Sequence, residues 1–282
     1  MEKEIKKWGP VFYIPTFLAF IIGFIVPFFE GLYLSLCKFT TVKNAKFIGF
    51  SNFIYALKDE TFVNAFIFTL KYAIVAIVLI NVIAFVLALL LTRKLKFTNF
   101  FRTIFFMPNL IGGVVLGYIW QILINCFLTI ISKPLLALNA TAGYWGLVVL
   151  MCWQQIGYMM IIYIAGLQNI SEEVLEAAKI DGANSWQTLW KVKIPMVMSS
   201  FTICMFLTLT NSFKLFDQNL ALTAGQPFHQ TEMLAYNIYD TFYFRSGPQW
   251  KGYGQAKAVI FCILVVIISF AQLKASKDKE MQ

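Results

Sequence analysis

Apolar residues fall into six long runs along the chain, separated by shorter polar stretches. A membrane-crossing helix needs about 20 mostly apolar residues. The first run continues into Pro27 and Phe28 and lacks a small-residue cleavage site, so we expect a retained helix and not a signal peptide. The pattern predicts an all-α integral membrane protein with six transmembrane helices, at about residues 11–36, 65–91, 103–127, 144–168, 199–221 and 256–273.

Composition supports lipid as the main solvent. The 282 residues are 59% hydrophobic and 13% charged, against about half and a quarter in soluble domains. The net charge of +9 is dispersed among apolar segments, so we expect no nucleic-acid partner. Since His229 is the only histidine, a metal or catalytic cluster built on histidine is excluded. The cysteines form no C-x-x-C pair and are interpreted as packing residues; they are Cys37, Cys126, Cys152, Cys204 and Cys262.

Basic residues near the ends of the runs indicate orientation, because cytoplasmic connections carry more lysine and arginine. Four regions that six spans place on one side are basic, which predicts a multi-pass membrane protein with both termini in the cytoplasm. Their residues are Lys3, Lys6 and Lys7; Arg93, Lys94, Lys96 and Arg102; Lys179, Lys191 and Lys193; Lys274, Lys277 and Lys279. The first connection opposes this assignment with Lys38, Lys43, Lys46 and Lys58.

The cytoplasmic connection 169–198 has its own helical pattern. Ser171 and the acidic residues after it are typical of a helix start. Gly182 is suited to a left-handed helix end, and we expect it to adopt a positive φ. A second helical run from Asn184 to Val192 is predicted to end at Pro195. The pattern alone leaves two interpretations equally open: a hairpin anchored at the membrane interface by tryptophans, or a docking element for a cytoplasmic partner.

The same connection resembles the EAA loop of binding-protein-dependent ABC importer permeases. The matching residues are Glu176, Ala177, Ala178, Asp181, Gly182, Ala183 and Pro195. In that family the loop couples the permease to an ATPase subunit, and the fold is the type I importer architecture. The resemblance therefore implies a single permease domain over residues 1–282, with these seven residues in coupling to the ATPase.

Other stretches are similar to the sugar permeases of this family, such as those for maltose, lactose and multiple sugars. Phe213 to Asp217 and then Leu222 to Pro227 match one extended signature. Gln226 replaces the second glycine of its G-G-P element, which puts the shape of that loop in doubt. Leu189 and Ser199 are smaller departures.

The resemblance implies partners that this chain lacks. The sequence contains no G-x-x-x-x-G-K-[ST] phosphate loop, so ATP and Mg are expected on a separate ATPase and no cofactor is expected here. The implied assembly has a second homologous permease subunit, two ATPase subunits and an extracytoplasmic solute-binding protein. The expected role is a non-enzymatic transport subunit that moves a sugar or oligosaccharide by alternating access; the alternative is the same architecture importing another solute, such as glycerol phosphate. A multi-pass membrane enzyme or scaffold is the competing class, without a catalytic motif to support it.

Polar residues in the fourth and fifth runs are candidates for the substrate path, because polar groups inside a bilayer usually face protein or water. Their amides and hydroxyls suit sugar hydroxyls, while an aromatic ring suits the sugar's apolar face. Hydrogen bonding between helices is the alternative role for each of them. The candidates are Gln154, Gln155, Tyr158, Thr208, Asn211, Ser212 and Leu215. Lys214 and Asp217 are three residues apart, and are interpreted as an ionic pair with a structural role or as residues of the path.

Overall fold

The described chain is helical apart from one short antiparallel ladder. The structure is a computed structural model that describes residue 11, residues 13–93 and residues 96–280, the side chains of 276–280 excepted. The helices are α1 (Tyr13–Ser35), α2 (Ser51–Lys58), α3 (Glu60–Leu91), α4 (Thr98–Phe106), α5 (Gly113–Ile130), α6 (Ala140–Gln168), α7 (Glu172–Ile180), α8 (Ser185–Met196), α9 (Met198–Phe213), α10 (Asp217–Leu222), α11 (Leu234–Tyr243) and α12 (Pro248–Glu280). Strands β1 (Cys37–Lys38) and β2 (Lys46–Phe47) pair antiparallel.

Helix length and composition confirm the predicted membrane fold. Among the described residues, α1, α3, α5, α6 and the segment Pro248–Ala275 of α12 are long and apolar enough to cross a membrane. The pair α8 and α9 passes the same test together, with a bend of 68° between them, and supplies the sixth candidate span. Part of the basic pattern behind the predicted orientation lies outside the described residues, namely Lys3, Lys6, Lys7 and Lys94, together with the side chains of Lys277 and Lys279.

Two predicted runs are divided in the structure. The run 103–127 becomes α4 and α5, because Pro108 lacks a backbone donor and Gly112 is extended with ψ of 138°. The run 199–221 becomes α9 and the separate helix α10, which begins at Asp217. A helix break does not lower the mean hydropathy of an apolar run, so periodicity and apolar content did not indicate these two breaks.

The chain forms two compact units. One comprises residues 1–62 and 238–262, and the other comprises residues 63–237 and 263–282. The second unit holds the larger core, in which α6 is packed by α4, α5, α9 and α10. A close approach of α6 to α4 depends on Gly157, since a Cβ at this position would overlap the backbone of Phe105. The second unit contains both sets of residues that the sequence singled out.

Candidate functional site

The first candidate element is the coupling segment, defined as residues 171–197. Its first helix, α7, has Glu172 and Glu173 in the first turn, where the interaction of carboxylates with the helix dipole is stabilising. Ser171 precedes it in an extended conformation, but its side chain makes no capping hydrogen bond. None of the residues of α7 is buried, while Leu175 packs partly against the core of its unit. The helix is therefore anchored on one side and exposed on the others.

The turn after α7 confirms the predicted conformation of Gly182. Its φ is +78°, and its N–H donates to the carbonyl of Lys179 at 3.0 Å. The N–H of Ala183 donates to the carbonyl of Ala178 at 2.9 Å. These two bonds form a Schellman motif, in which a left-handed residue closes the last turn. Open space surrounds the Gly182 Cα, so φ and not crowding selects glycine here.

The second helix of the coupling segment differs from the prediction. Asn184 and Gln187 form a reciprocal capping box, with side chain to backbone distances of 2.8 and 2.9 Å. The prediction that Pro195 ends the helix is wrong, because α8 continues to Met196 and bends into α9 at Val197. A π-helical turn over Leu189–Lys193 precedes the proline and bonds five residues back, which accommodates the missing N–H.

The outer surface of the coupling segment is partly apolar. Ile180 is 85% exposed, and the rings of Trp186 and Trp190 are 68% and 54% exposed with centroids 5.7 Å apart. Glu176, Ala177 and Asp181 are exposed as well. Large exposed apolar side chains next to an acidic helix suit either a protein groove or the membrane interface, so both interpretations of the pattern stay open.

The second candidate element is the polar path on α6 and α9. The structure separates its seven residues into two groups. Gln155, Tyr158 and Asn211 are partly or well exposed in this chain. The remaining members are buried; they are Gln154, Thr208, Ser212 and Leu215. Burial favours the interhelical hydrogen-bonding role for the polar members of the second group.

The exposed group brings amides and an aromatic ring together. The Asn211 amide donates to the Gln155 side-chain oxygen at 3.2 Å. Tyr158 lies one turn further along α6, and its ring centroid is 6.5 Å from that of Phe106. Together these three side chains offer hydrogen-bond donors, acceptors and a ring face, which are the groups that bind a polyhydroxylated ligand.

In the buried group, Gln154 links separate elements, while the hydroxyls of Thr208 and Ser212 bond within their own helix. Gln154 donates to the carbonyl of Ile111 at 3.2 Å and accepts from Gln218 at 2.8 Å. The hydroxyls of Thr208 and Ser212 donate to backbone carbonyls one turn back within α9, at 2.7 Å each. Leu215 is 3% exposed.

A buried triad that the sequence analysis missed joins α3, α6 and α9. The Tyr163 hydroxyl donates to the Asn81 amide oxygen at 2.8 Å, and the Asn81 amide donates to the Thr208 hydroxyl at 3.2 Å. All three side chains are at most 4% exposed. Asn81 is a lone amide in a long apolar run, and that was the available signal.

Two smaller predictions concern the residues after α9. Lys214 and Asp217 are both exposed, and the ion pairs within the described ranges do not include one between them. The loop that contains Gln226 is organised by Asn219, which donates to the Thr231 carbonyl at 2.8 Å and accepts from the Met233 N–H at 3.0 Å. Gln226, which stands in place of the second glycine of the G-G-P element, is exposed.

Comparisons with known proteins identify the family of the chain. Residues 80–278 match the family described as the binding-protein-dependent transport system inner membrane component. The "Probable starch degradation products transport system permease protein AmyD" of Thermoanaerobacterium thermosulfurigenes is 44% identical, covering 98% of this chain and 96% of that protein. The "Multiple sugar-binding transport system permease protein MsmF" of Streptococcus mutans is 31% identical, covering 98% and 97%.

A solved structure shows the same fold. It is a chain of a bacterial ABC transporter involved in the import of the acidic polysaccharide alginate, with a TM-score of 0.83, 18% identity and coverage of 98% of both chains. With the family match over most of the sequence, the chain belongs to the inner membrane components of binding-protein-dependent transport systems, and is a permease.

Proposed function

We propose that this permease moves a sugar or oligosaccharide into the cell as a membrane-spanning subunit of an ATP-driven importer. The observation that carries the proposal is the 44% identity, along nearly the full length, to a permease named for starch degradation products. The group formed by Gln155, Tyr158 and Asn211 supports it, because its amides and ring suit sugar hydroxyls and a sugar ring face.

The proposed assembly has a second, homologous permease that completes the path, two ATPase subunits and an extracytoplasmic solute-binding protein. ATP and Mg bind to the ATPase subunits. Closure of the ATPase pair is transmitted through the coupling segment, with Glu176, Ala177, Ala178, Asp181, Gly182, Ala183 and Pro195 at or next to the contact. Both termini are cytoplasmic in this arrangement, and the connections 37–64, 128–143 and 222–255 are external.

Uptake by the reconstituted importer tests the substrate class. The permease is co-expressed with its second permease, ATPase and binding protein, and the complex is placed in proteoliposomes. We expect uptake of labelled malto-oligosaccharides that requires both internal ATP and the binding protein. Uptake of glycerol 3-phosphate with no uptake of any sugar in a broad panel would instead establish the alternative solute, and no binding-protein-dependent uptake of either would overturn the proposal.

A further inference from the structure

The segment between the first two spans conflicts with the orientation indicated by the other connections. Helix α1 ends at Ser35, and α3 begins at Glu60. Residues 37–58 contain Lys38, Lys43, Lys46 and Lys58 and no acidic residue. All four lysines are exposed. An external connection with this charge violates the usual bias of lysine toward the cytoplasm, so the lysines need another physical explanation.

This segment is fixed against the end of α1. The Asn52 side chain, 0% exposed, donates to the carbonyls of Ser35 at 2.8 Å and Cys37 at 2.9 Å. The Ile48 N–H donates to the Leu36 carbonyl at 2.9 Å. At its other end, Asp59 alone separates α2 from α3. Because both neighbours are spans and the segment is bonded to the end of one of them, α2 stays at the level of the membrane surface.

Several large apolar side chains of this segment are exposed, although the ring of Tyr55 also lies 5.4 Å from that of Tyr253 in α12. Asn52 and Ala56 occupy the buried face of α2. Five large apolar residues within eleven positions are each more than half exposed: Phe47 (65%), Phe50 (71%), Ile54 (54%), Tyr55 (57%) and Leu57 (61%). Scattered exposed apolar residues are normal, but this density on a folded element marks a surface that something covers.

We propose that residues 43–58 form an interfacial segment, in which the exposed apolar side chains enter the outer leaflet and Lys43, Lys46 and Lys58 bind anionic phospholipid headgroups. The leaflet follows from the orientation in the proposed function, while the membrane contact itself does not depend on it. Lysines beside exposed aromatic and aliphatic residues are typical of helices that lie in the membrane interface. The three positive charges of residues 43–58 and the absence of acidic residues there match an anionic headgroup.

Lipid fits this surface better than the solute-binding protein does. A soluble partner leaves between transport cycles, and its absence would expose five large apolar side chains to water. Interfaces that form and separate repeatedly are about as polar as the rest of a protein surface. A bilayer covers the segment continuously, and the two flanking spans already bring it there.

Fluorescence quenching in the assembled importer tests the contact. Of the free cysteines, Cys126 and Cys262 are the exposed ones and are replaced by alanine. Bimane is then attached to single cysteines at Ile54 or Leu57, and at exposed Gln230 as the control in another connection. In nanodiscs, nitroxide-labelled phospholipid should quench the fluorescence of the labels at 54 and 57. Iodide, which stays in the water, should quench them little. The label at 230 should be quenched by iodide and little affected by the nitroxide-labelled phospholipid.

The headgroup preference is measured as the ratio of quenching by nitroxide-labelled phosphatidylglycerol to quenching by the phosphatidylcholine equivalent. We expect a ratio above one that falls in Lys43→Gln and Lys46→Gln, with a loss of local enrichment of about fivefold per lysine. Lys133→Gln is the matched control, an exposed lysine in a different connection, and should leave the ratio unchanged.

Three results would overturn the inference. Iodide quenching at 54 and 57 equal to that at 230 would exclude membrane contact, and if the labels became shielded only when loaded binding protein was added, the surface would be a docking site for that protein. A ratio of one in the unmodified chain would refute the anionic headgroup. Since quenching needs no transport, each of these results leaves the proposed function to be decided by the uptake assay.

Discussion

The ammonium of Lys257 lies 2.7 Å from a carboxylate oxygen of Asp59, although Lys257 is only 1% exposed and stands in the apolar helix α12. The same ammonium donates to the Thr241 hydroxyl at 2.8 Å and lies 5.3 Å from the ring centroid of Phe62. Asp59 also accepts from the backbone N–H of Thr61 at 3.0 Å. A charge this deeply buried is tolerated only when it is paired, so the carboxylate holds α12 against the start of α3.

Unequal effects of the two partners are the first prediction. Asp59→Asn removes the carboxylate that the buried ammonium contacts, and we expect a destabilisation of about 3–5 kcal/mol. Lys257→Met should cost less, because Asp59 is 21% exposed and also has Arg245 at 3.7 Å. Thermal unfolding of the purified complex, followed by fluorescence-detected gel filtration, compares the two variants. Equal losses of stability in the two variants would contradict the view that the buried Lys257 charge depends more on its partner than the Asp59 charge does.

The pH dependence of this pair has a definite sign. Burial raises the pKa of the Asp59 carboxyl, but the hydrogen bond and the charge of Lys257, with the bonds from Thr61, outweigh burial and hold the pKa below its ordinary value of 3.8. A lowered folded-state pKa gives stability that is complete above the unfolded pKa and disappears as the pH falls through the folded one. The stability difference between the native chain and Asp59→Asn should therefore be constant from neutral pH to about pH 5, and shrink only in stronger acid.

Local features could be predicted from the sequence, and long-range pairings could not. Gly182 directly follows a helical run, and glycine at such a position commonly forms a left-handed cap, so its positive φ could be predicted. Lys257 and Asp59 are 198 positions apart, so neither residue indicates the other. Thr208 was assigned to the substrate path from its helix face, yet its hydroxyl accepts a hydrogen bond from Asn81 in α3, which is distant in sequence. Periodicity predicts the helix face on which a residue lies, but only the packing of the spans decides which residues that face contacts.

The triad of Asn81, Tyr163 and Thr208 gives a prediction about the pairing of spans. Tyr163→Phe removes the donor that reaches Asn81 at 2.8 Å, and Asn81→Leu removes the acceptor. We expect a coupling of about 0.6–1.7 kcal/mol between the two changes, which spans the average and the largest values for hydrogen bonds between membrane helices. A double-mutant cycle on unfolding in detergent measures it.

Tyr72→Phe is the matched control for that cycle. Tyr72 is also fully buried and lies on α3, but its hydroxyl has no hydrogen-bond partner within the described residues. Its removal should be neutral or slightly stabilising. If Tyr163→Phe were equally harmless, the triad would have no role in holding the three spans.

Tyr158 is the sharpest test of the substrate path, because it is the exposed aromatic of the candidate group. Tyr158→Ala should weaken substrate hand-over from the binding protein by about 1–3 kcal/mol while the complex stays assembled. Tyr158→Phe keeps the ring and should retain more of the uptake. Ser212→Leu is less informative, because Ser212 is 2% exposed and a larger side chain would disturb packing.

Initial uptake rates in proteoliposomes compare these variants. Tyr118→Ala serves as the control, since Tyr118 is an equally large exposed aromatic on α5 outside the candidate group. A normal rate for Tyr158→Ala, or the same reduction for Tyr118→Ala, would remove Tyr158 from the path.

Epitope accessibility tests the proposed orientation. Tags placed before Lys3 and after Gln282 should be reached by antibody only after the cells are permeabilised. A tag inserted between Ser246 and Gly247, which are exposed and follow α11, should be reached in intact cells. This position spares Arg245, which contacts Asp240 at 3.6 Å. Protease or antibody access to the C-terminal tag in intact cells would invert the assignment of all connections.

The strongest prediction concerns Gly182 in the coupling segment. With φ at +78°, a β-branched residue at this position strains the backbone by about 1–3 kcal/mol, which favours opening of the Schellman turn that orients α7 relative to α8. Gly182→Val should therefore insert in the membrane but lose uptake, with ATP hydrolysis that no longer responds to loaded binding protein. Gly182→Asn should stay close to the native activity, because asparagine tolerates the left-handed region. Gly49→Val controls for strain alone, since Gly49 has a φ of +65° and open space around it, far from the segment in sequence. Substrate-stimulated hydrolysis by the assembled complex measures all three. Unchanged stimulation in Gly182→Val, or an equal loss in Gly49→Val, would contradict a specific role for this turn in coupling.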